Sequence, residues 1–229
     1  ADHVVQGRLV LPGAGYLEMV HAACRVVSAS ADGAALHGVF FLKPLVLATA
    51  GVTLLVECAL REGGRLEVRS FELSDVDAPE GTTHCSGSHY ARPASNRDEL
   101  WPASARMQST AAVDRRALYA QFNTAGLQYG PGFRTVQRGW LGEDVGASQV
   151  CGRSDMQGTH VHPADLDGAL HVNAVAQAVR DDATTRLPFA VDAALLCAHS
   201  GGIVWTTASS LSVRLVAESG RTLVQLRGL

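Results

Sequence analysis

Asp2-His3-Val4-Val5-Gln6-Gly7-Arg8-Leu9-Val10-Leu11-Pro12-Gly13-Ala14-Gly15-Tyr16-Leu17-Glu18 is the stretch around which the rest of the chain falls into place. It holds a histidine, a short strand-like piece, and then Pro-Gly-Ala-Gly opening an apolar helix. Proline suits a helix's first turn, because its missing N–H would find no partner there anyway. A helix start leaves backbone N–H groups free to receive an anion or a polarised carbonyl. His3 is therefore a candidate base beside a candidate oxyanion site. Alone, a histidine this near the start reads as a surface residue of a fraying terminus. Two later stretches change that.

The chain has 229 residues, 47% hydrophobic and 18% charged. That length buries roughly 70–75% of the unfolded surface and allows one large domain or two small ones. The composition excludes a disordered chain. No apolar run approaches the ~20 residues that span a bilayer, no signal peptide is visible, and the expected location, cytoplasmic, rests on the cysteines. The five cysteines are scattered without a CxxC pair, which argues for reduced, mostly buried thiols rather than zinc or disulfides. A formal net charge of −3 makes nucleic acid an improbable partner. Lys43 is the only lysine among many arginines, a pattern that hints at a GC-rich bacterial genome.

Residues 15–28 read as a helix whose apolar positions, Leu17, Met19, Val20, Ala23, Val26 and Val27, form a wide stripe, so the helix should be wrapped on several sides. Residues 36–42, 52–60, 66–73 and 83–91 read as strands, with 61–64 as a hairpin turn between two of them. Residues 92–112, rich in Pro, Ser, Asn and charge, read as a linker. Asp114 is a plausible N-cap for a short helix to Asn123. Strands follow at 133–141 and 147–151, then a second long helix at 163–179. The chain closes with strands at 190–198, 203–216 and 222–226. The two halves rhyme: each has one apolar helix introduced by proline and a sheet to cover it.

His3, Gly7 and Pro12 match the HxxxGxxxxP motif of polyketide synthase dehydratase domains, Tyr129-Gly130-Pro131-Gly132-Phe133 matches their YGPxF motif, and Asp167-Gly168-Ala169-Leu170-His171 matches their DxxxQ/H motif. With all three in family order over nearly the whole chain, the sequence resembles the dehydratase domain of a modular type I polyketide synthase. The resemblance implies an α+β double hotdog, two antiparallel sheets each wrapped around a long central helix. Residues 1–92 would form the N-terminal hotdog, 93–112 the linker and 113–229 the C-terminal hotdog. Family members carry strand sequence ahead of the histidine motif, so the first hotdog is expected to lack its first strand.

The implied activity is that of a hydro-lyase: dehydration of a β-hydroxyacyl thioester to the α,β-unsaturated thioester during chain elongation. His3 would be the general base at the α-carbon and Asp167 the general acid at the β-hydroxyl. Asp167 and His171, four apart on a helix, share a face, so His171 would orient Asp167. Asp165 lies about 200° round the helix from Asp167. An acid on a partly apolar face is suited to carry a proton, because desolvation disfavours a carboxylate. Backbone N–H groups near Gly7 or at the Gly13-Ala14 helix start are both candidates for the enolate oxygen. Tyr129 would bond Asp167 or the substrate hydroxyl. Gly130, Pro131 and Phe133, with Leu187 and Pro188, would line the substrate channel. Pro12 and Gly13 support the base-bearing segment.

The resemblance also implies an acyl carrier protein bearing the substrate on its phosphopantetheine arm, neighbouring synthase domains and a homodimer. Carrier proteins of this kind are acidic, which makes Arg134 and Arg138 candidates for a docking patch. No cofactor is expected, since glycine-rich phosphate loops and dinucleotide fingerprints are absent. No metal is expected either. His160 and His162 lie two apart, but no third ligand is evident, and His162-Pro163 reads better as a helix start. Alternatives on the same fold are a domain that also cyclises to a pyran or furan or shifts a double bond. More distant ones are a hotdog thioesterase and a non-catalytic module. The retained Asp167 favours dehydration over isomerisation.

Overall fold

Gln6 and Gly7 both take positive φ, 49° and 76°, and fold the chain start into a two-residue hairpin between strands β1 (His3–Val5) and β2 (Arg8–Leu9). Left-handed backbone at both central positions is the geometry of the tight primed turns. The second position favours glycine, which explains Gly7. Helix α1 (Gly13–Val27) begins directly after Pro12. The computed structural model describes residues 2–27, 33–47, 51–73, 81–90, 107–108, 111–153, 155–178, 189–198, 202–209 and 211–229, with side chains of 172–178 left out.

Strands β3 (Gly33–Phe41), β4 (Leu54–Leu60), β5 (Arg65–Glu72) and β6 (Thr82–Tyr90) follow α1 and cover it, with β3, β4 and β5 in contact with the helix. The period of two in β5 buries Leu66, Val68 and Ser70. After β7 (Ala111–Val113) and α2 (Arg115–Thr124) come β8 (Leu127–Tyr129), β9 (Val136–Leu141) and β10 (Val145–Val150). Helix α3 (Pro163–Ala178) and strands β11 (Ala190–Cys197), β12 (Val204–Ser209), β13 (Ser212–Ala217) and β14 (Thr222–Arg227) complete the second half. Here β9, β10, β12 and β13 pack on α3, so each helix has its own sheet wall, and α1 and α3 also touch. This is the double hotdog. The two walls join through the β3–β11 pair into one antiparallel sheet in the order β4-β5-β6-β3-β11-β14-β13-β12-β10-β9-β7.

Asp114 caps α2 as expected, its carboxylate accepting the N–H groups of Arg116 (2.7 Å) and Ala117 (3.2 Å). Four details differ from the sequence expectation. The stretch 203–216 is two strands, β12 and β13, broken between Ser209 and Ser212. Serine turns carry a weaker signal than Gly or Pro. Phe133 closes a 3₁₀ turn (Pro131–Phe133) rather than opening a strand, because Pro131 starts that turn. The expected linker gives way to β7 at Ala111, while its residues 93–106 and 109–110 lie outside the described residues. Val26 and Val27, counted in the apolar stripe of α1, are exposed, since the last helical turn runs clear of its wall.

Candidate active site

His3 is not on a frayed end. It pairs with Tyr129 across β1 and β8, in a small sheet of order β2-β1-β8 that joins the two halves. The residue is buried, and its imidazole lies against the rings of Tyr129 (5.6 Å between centroids) and Phe133 (5.3 Å). Its Nδ1 lies 2.8 Å from the carbonyl oxygen of Val10. A carbonyl only accepts, so Nδ1 carries the proton and donates it. In the neutral ring this leaves Nε2 as a lone-pair base.

The Tyr129-to-Phe133 turn is held against β1 by Asp2. Its backbone carbonyl accepts the Gly130 N–H (2.7 Å), and its Oδ2 accepts the Gly132 N–H (2.7 Å). A Cβ on either glycine would fall 2.6 Å from an Asp2 carboxylate oxygen, so a side chain at either position would push that carboxylate out of its clasp. Arg134 donates Nε–H to the Tyr129 carbonyl (2.8 Å) and lies over the Tyr119 ring at 5.7 Å. Arg134 thus braces the turn, although it stands in the sequence as a docking candidate.

On α3, the His171 Nε2 lies 3.0 Å from Asp167 Oδ2, the i,i+4 pair the sequence predicts. Both residues are buried. The Tyr129 ring packs on the His171 ring at 4.3 Å, so the acid-bearing pair meets the residue that neighbours His3. Burial, with the Asp167 charge nearby, pushes the Tyr129 phenol far above its ordinary range, and it stays a neutral hydroxyl. Gly168 faces the segment ahead of β9 so closely that a Cβ would run into Thr135 Oγ1. Asp165 points away, as expected, to Arg153 at 3.5 Å, and burial pushes its carboxyl up to about 6 although that guanidinium pulls it down.

Two family profiles match the sequence: "Polyketide synthase dehydratase domain" over residues 1–73 and "Polyketide synthase dehydratase N-terminal domain" over residues 97–229. The chain belongs to the polyketide synthase dehydratase family. Among curated relatives it is 35% identical over 181 residues to polyketide synthase ThaG of Burkholderia thailandensis, covering 74% of this chain and 3% of that protein. It is 31% identical to polyketide synthase GfsA of Streptomyces halstedii, covering 93% of this chain and again 3% of that protein. It therefore spans a small part of the large proteins it resembles. Its fold matches the solved dehydratase domain from the CurF module of curacin polyketide synthase, with a TM-score of 0.85 at 23% identity, over 100% of this chain and 86% of that one.

Within this dehydratase-family domain, His3, Tyr129, Phe133, His171 and Asp167 form one connected group. Gly7 stands apart. Its turn is exposed and its N–H donates to Gln128 Oε1 (2.9 Å), so it is not a free donor for a substrate oxygen. Pro12 is buried at the start of α1, and Gly13 follows it against Phe41. Leu187 and Pro188 lie outside the described residues. Among the described residues no helix is long and apolar enough to cross a membrane.

Sequence reading missed Tyr119. Its hydroxyl lies 3.4 Å from His171 Nδ1 and accepts the Val136 N–H at 3.2 Å. Burial pushes its phenol up to about 12, so it remains a donor. With the Val136 proton received, the phenol's own proton goes to Nδ1, and the His171 ring proton then sits on Nε2 and is donated to Asp167. The available signal was the pair Tyr119 and Phe122, three apart on an apolar helix face, because a buried tyrosine needs a partner for its hydroxyl.

Proposed function

We propose that this domain removes water from a β-hydroxyacyl thioester held on the phosphopantetheine arm of an acyl carrier protein, as one catalytic station of a homodimeric polyketide synthase. His3 Nε2 takes the proton from the α-carbon. The C–H electrons form the α,β double bond, and the β-hydroxyl departs with a proton from Asp167 as water. His3 then holds one extra proton and Asp167 one fewer, and a proton passed back through solvent resets both. His171 donates to Oδ2, so Oδ1 is the oxygen that faces the leaving hydroxyl. With the Gly7 N–H engaged, the Gly13-Ala14 start of α1 is the better source of donors for the enolate oxygen. The elimination as written uses only protein groups.

The fixed tautomer of His3 carries this conclusion. A backbone carbonyl holds its Nδ1 proton, so in the neutral ring Nε2 carries the lone pair, and the buried residue lies beside the aromatic rings that lead to Asp167. The test is mass spectrometry of carrier-bound product. Wild type converts a β-hydroxyacyl carrier substrate to the species lighter by one water. His3→Ala and Asp167→Asn each lower turnover by ~10²–10⁴ with the fold retained. Full turnover in either variant removes that residue from the mechanism. Free acid as product assigns the domain to thioester hydrolysis instead, and an oxygen-ring product from a dihydroxy substrate assigns it to the cyclising class.

A further inference from the structure

We propose that Glu18 and His21 of α1, with His160 from the segment ahead of α3, form a site for one divalent transition-metal ion, zinc by donor chemistry. The ion would tie the two halves together away from His3 and Asp167. In the sequence His160 lacked ligand partners, because the other two lie about 140 positions earlier. The fold brings them in, while the adjacent His162 turns elsewhere, its Nδ1 accepting the Ala164 N–H (3.1 Å) at the start of α3.

One donor atom from each of the three residues lies within 4.8 Å of the others. His21 Nδ1 is 3.4 Å from Glu18 Oε2, and His160 Nδ1 is 3.3 Å from Glu18 Oε1. These are long for hydrogen bonds to a carboxylate, which run ~2.7–2.9 Å when charge-assisted. They run to the two different oxygens of one carboxylate, so both imidazoles converge on Glu18. Each Glu18 oxygen also accepts a backbone N–H, from His160 (2.5 Å) and Val161 (3.0 Å). A carboxylate has about four acceptor positions, so both oxygens keep one for a metal. Such outer donors are what orients ligating carboxylates.

His21 is fully buried with its Nδ1 toward Glu18, and its Nε2 has no hydrogen-bond partner among the described residues. The His160 side chain is 32% exposed, which opens the site to an entering ion and to a water as fourth ligand. Imidazole with carboxylate suits zinc and its neighbours over calcium or magnesium.

The test uses chelator-treated domain carrying Cys151→Ser, because exposed Cys151 would compete for metal. Zinc is titrated by calorimetry and cobalt(II) by visible absorption, without substrate, so the result is independent of the dehydration chemistry. One ion per chain, micromolar or tighter, is expected, with the intense d–d bands of four-coordinate cobalt. His160→Ala should weaken uptake at least ~10-fold with an unchanged circular dichroism spectrum. Exposed His37→Ala should leave it unchanged. Absent uptake, or equal affinity in His160→Ala and the parent protein, overturns the site. Should Glu18→Gln fold poorly, the zinc-dependent rise in Tm of His160→Ala against the parent decides instead: a rise kept in full refutes the proposal, and its loss supports it.

Discussion

Replacing Tyr119 by Phe deletes one oxygen and tests the whole acid side of the site. The ring stays, with its contacts to Phe122, Tyr129 and His171. Two bonds go: the Val136 N–H loses its acceptor, and His171 Nδ1 loses its donor. Val136 is 1% exposed, so its N–H gains no water in exchange. A buried donor left unpaired costs about 1–3 kcal/mol. The 3.2 Å and 3.4 Å distances are long, which puts the expected loss in the lower half of that range, or a Tm drop of ~3–6 °C at about 2–4 °C per kcal/mol. The second loss concerns chemistry. Without the phenol, about 1 kcal/mol of bias toward the Nε2–H tautomer of His171 disappears. A bare Nε2 would then face Asp167 in part of the population. Turnover should fall by no more than about 2-fold, since with no bias left half the population keeps the Nε2–H form, with KM little changed. Urea unfolding reads the first effect, and nitrogen NMR of labelled His171 with steady-state kinetics reads the second. Unchanged stability together with an unchanged His171 tautomer would refute the relay from Val136 to Asp167.

Gly168→Ala drives a Cβ into Thr135 Oγ1, and forcing α3 off the segment ahead of β9 should cost about 1–3 kcal/mol by chemical denaturation. In that background Thr135→Ala should recover part of the loss; no recovery would place the clash elsewhere. Asp2→Ala removes the carboxylate acceptor of the Gly132 N–H, a loss of about 1–2 kcal/mol, and should loosen the packing of Phe133 on His3. Protection of the Gly132 amide from hydrogen exchange checks it. His162 should stay neutral to about pH 4, because burial and then the Arg153 charge lower it from 6.5. The neutral form is favoured in the fold, so this contribution is full above pH ~6.5 and is lost as pH falls toward 4. Asp165, raised to about 6, has the opposite slope, with stability gained as pH falls below 6. The two nearly cancel between pH 4 and 6, so proton NMR of His162 is the clean readout, and a midpoint near 6.5 would refute its burial.

Local features were legible in the sequence and pairings between distant residues were not. The wide stripe of α1, the Asp114 cap, the alternation in β5 and the Asp167–His171 spacing each follow from helix or strand periodicity over a few residues. The His3↔Tyr129 pair, the β3–β11 joint and the meeting of Glu18 with His160 link positions roughly 100 or more apart, and no local period encodes them. Gly7 shows how a correct motif can be given the wrong task. Its glycine is explained by a left-handed turn position, and its N–H is spent on Gln128. Tyr119 was hidden for the opposite reason: an ordinary helix aromatic gives no sign in sequence that its hydroxyl ends beside His171.

The small sheet β2-β1-β8 has a consequence for how the two catalytic groups stay aligned. His3 precedes α1 in the chain, yet its strand pairs with β8 of the second half rather than with the wall that covers α1. A base hung on its own half would shift against Asp167 whenever the halves flexed at the β3–β11 joint. On β1 it is tied by backbone bonds to the strand that ends in Tyr129, and Tyr129 packs directly on the partner of Asp167. The Gln6 N–H to Gly126 carbonyl bond (2.7 Å) and the Asp2 clasp secure the two ends of that attachment. The hairpin that carries the base is bonded to the first half as well, through Leu11 N–H to the Leu45 carbonyl (2.9 Å) and Leu47 N–H to the Leu9 carbonyl (2.8 Å), so His3 sits on a strap between the halves. Besides the β3–β11 ladder, the two helices touch, and Glu18 of α1 accepts the N–H groups of His160 and Val161 ahead of α3. Glu18, His21 and His160 thus converge where α1 is bonded to the segment ahead of α3.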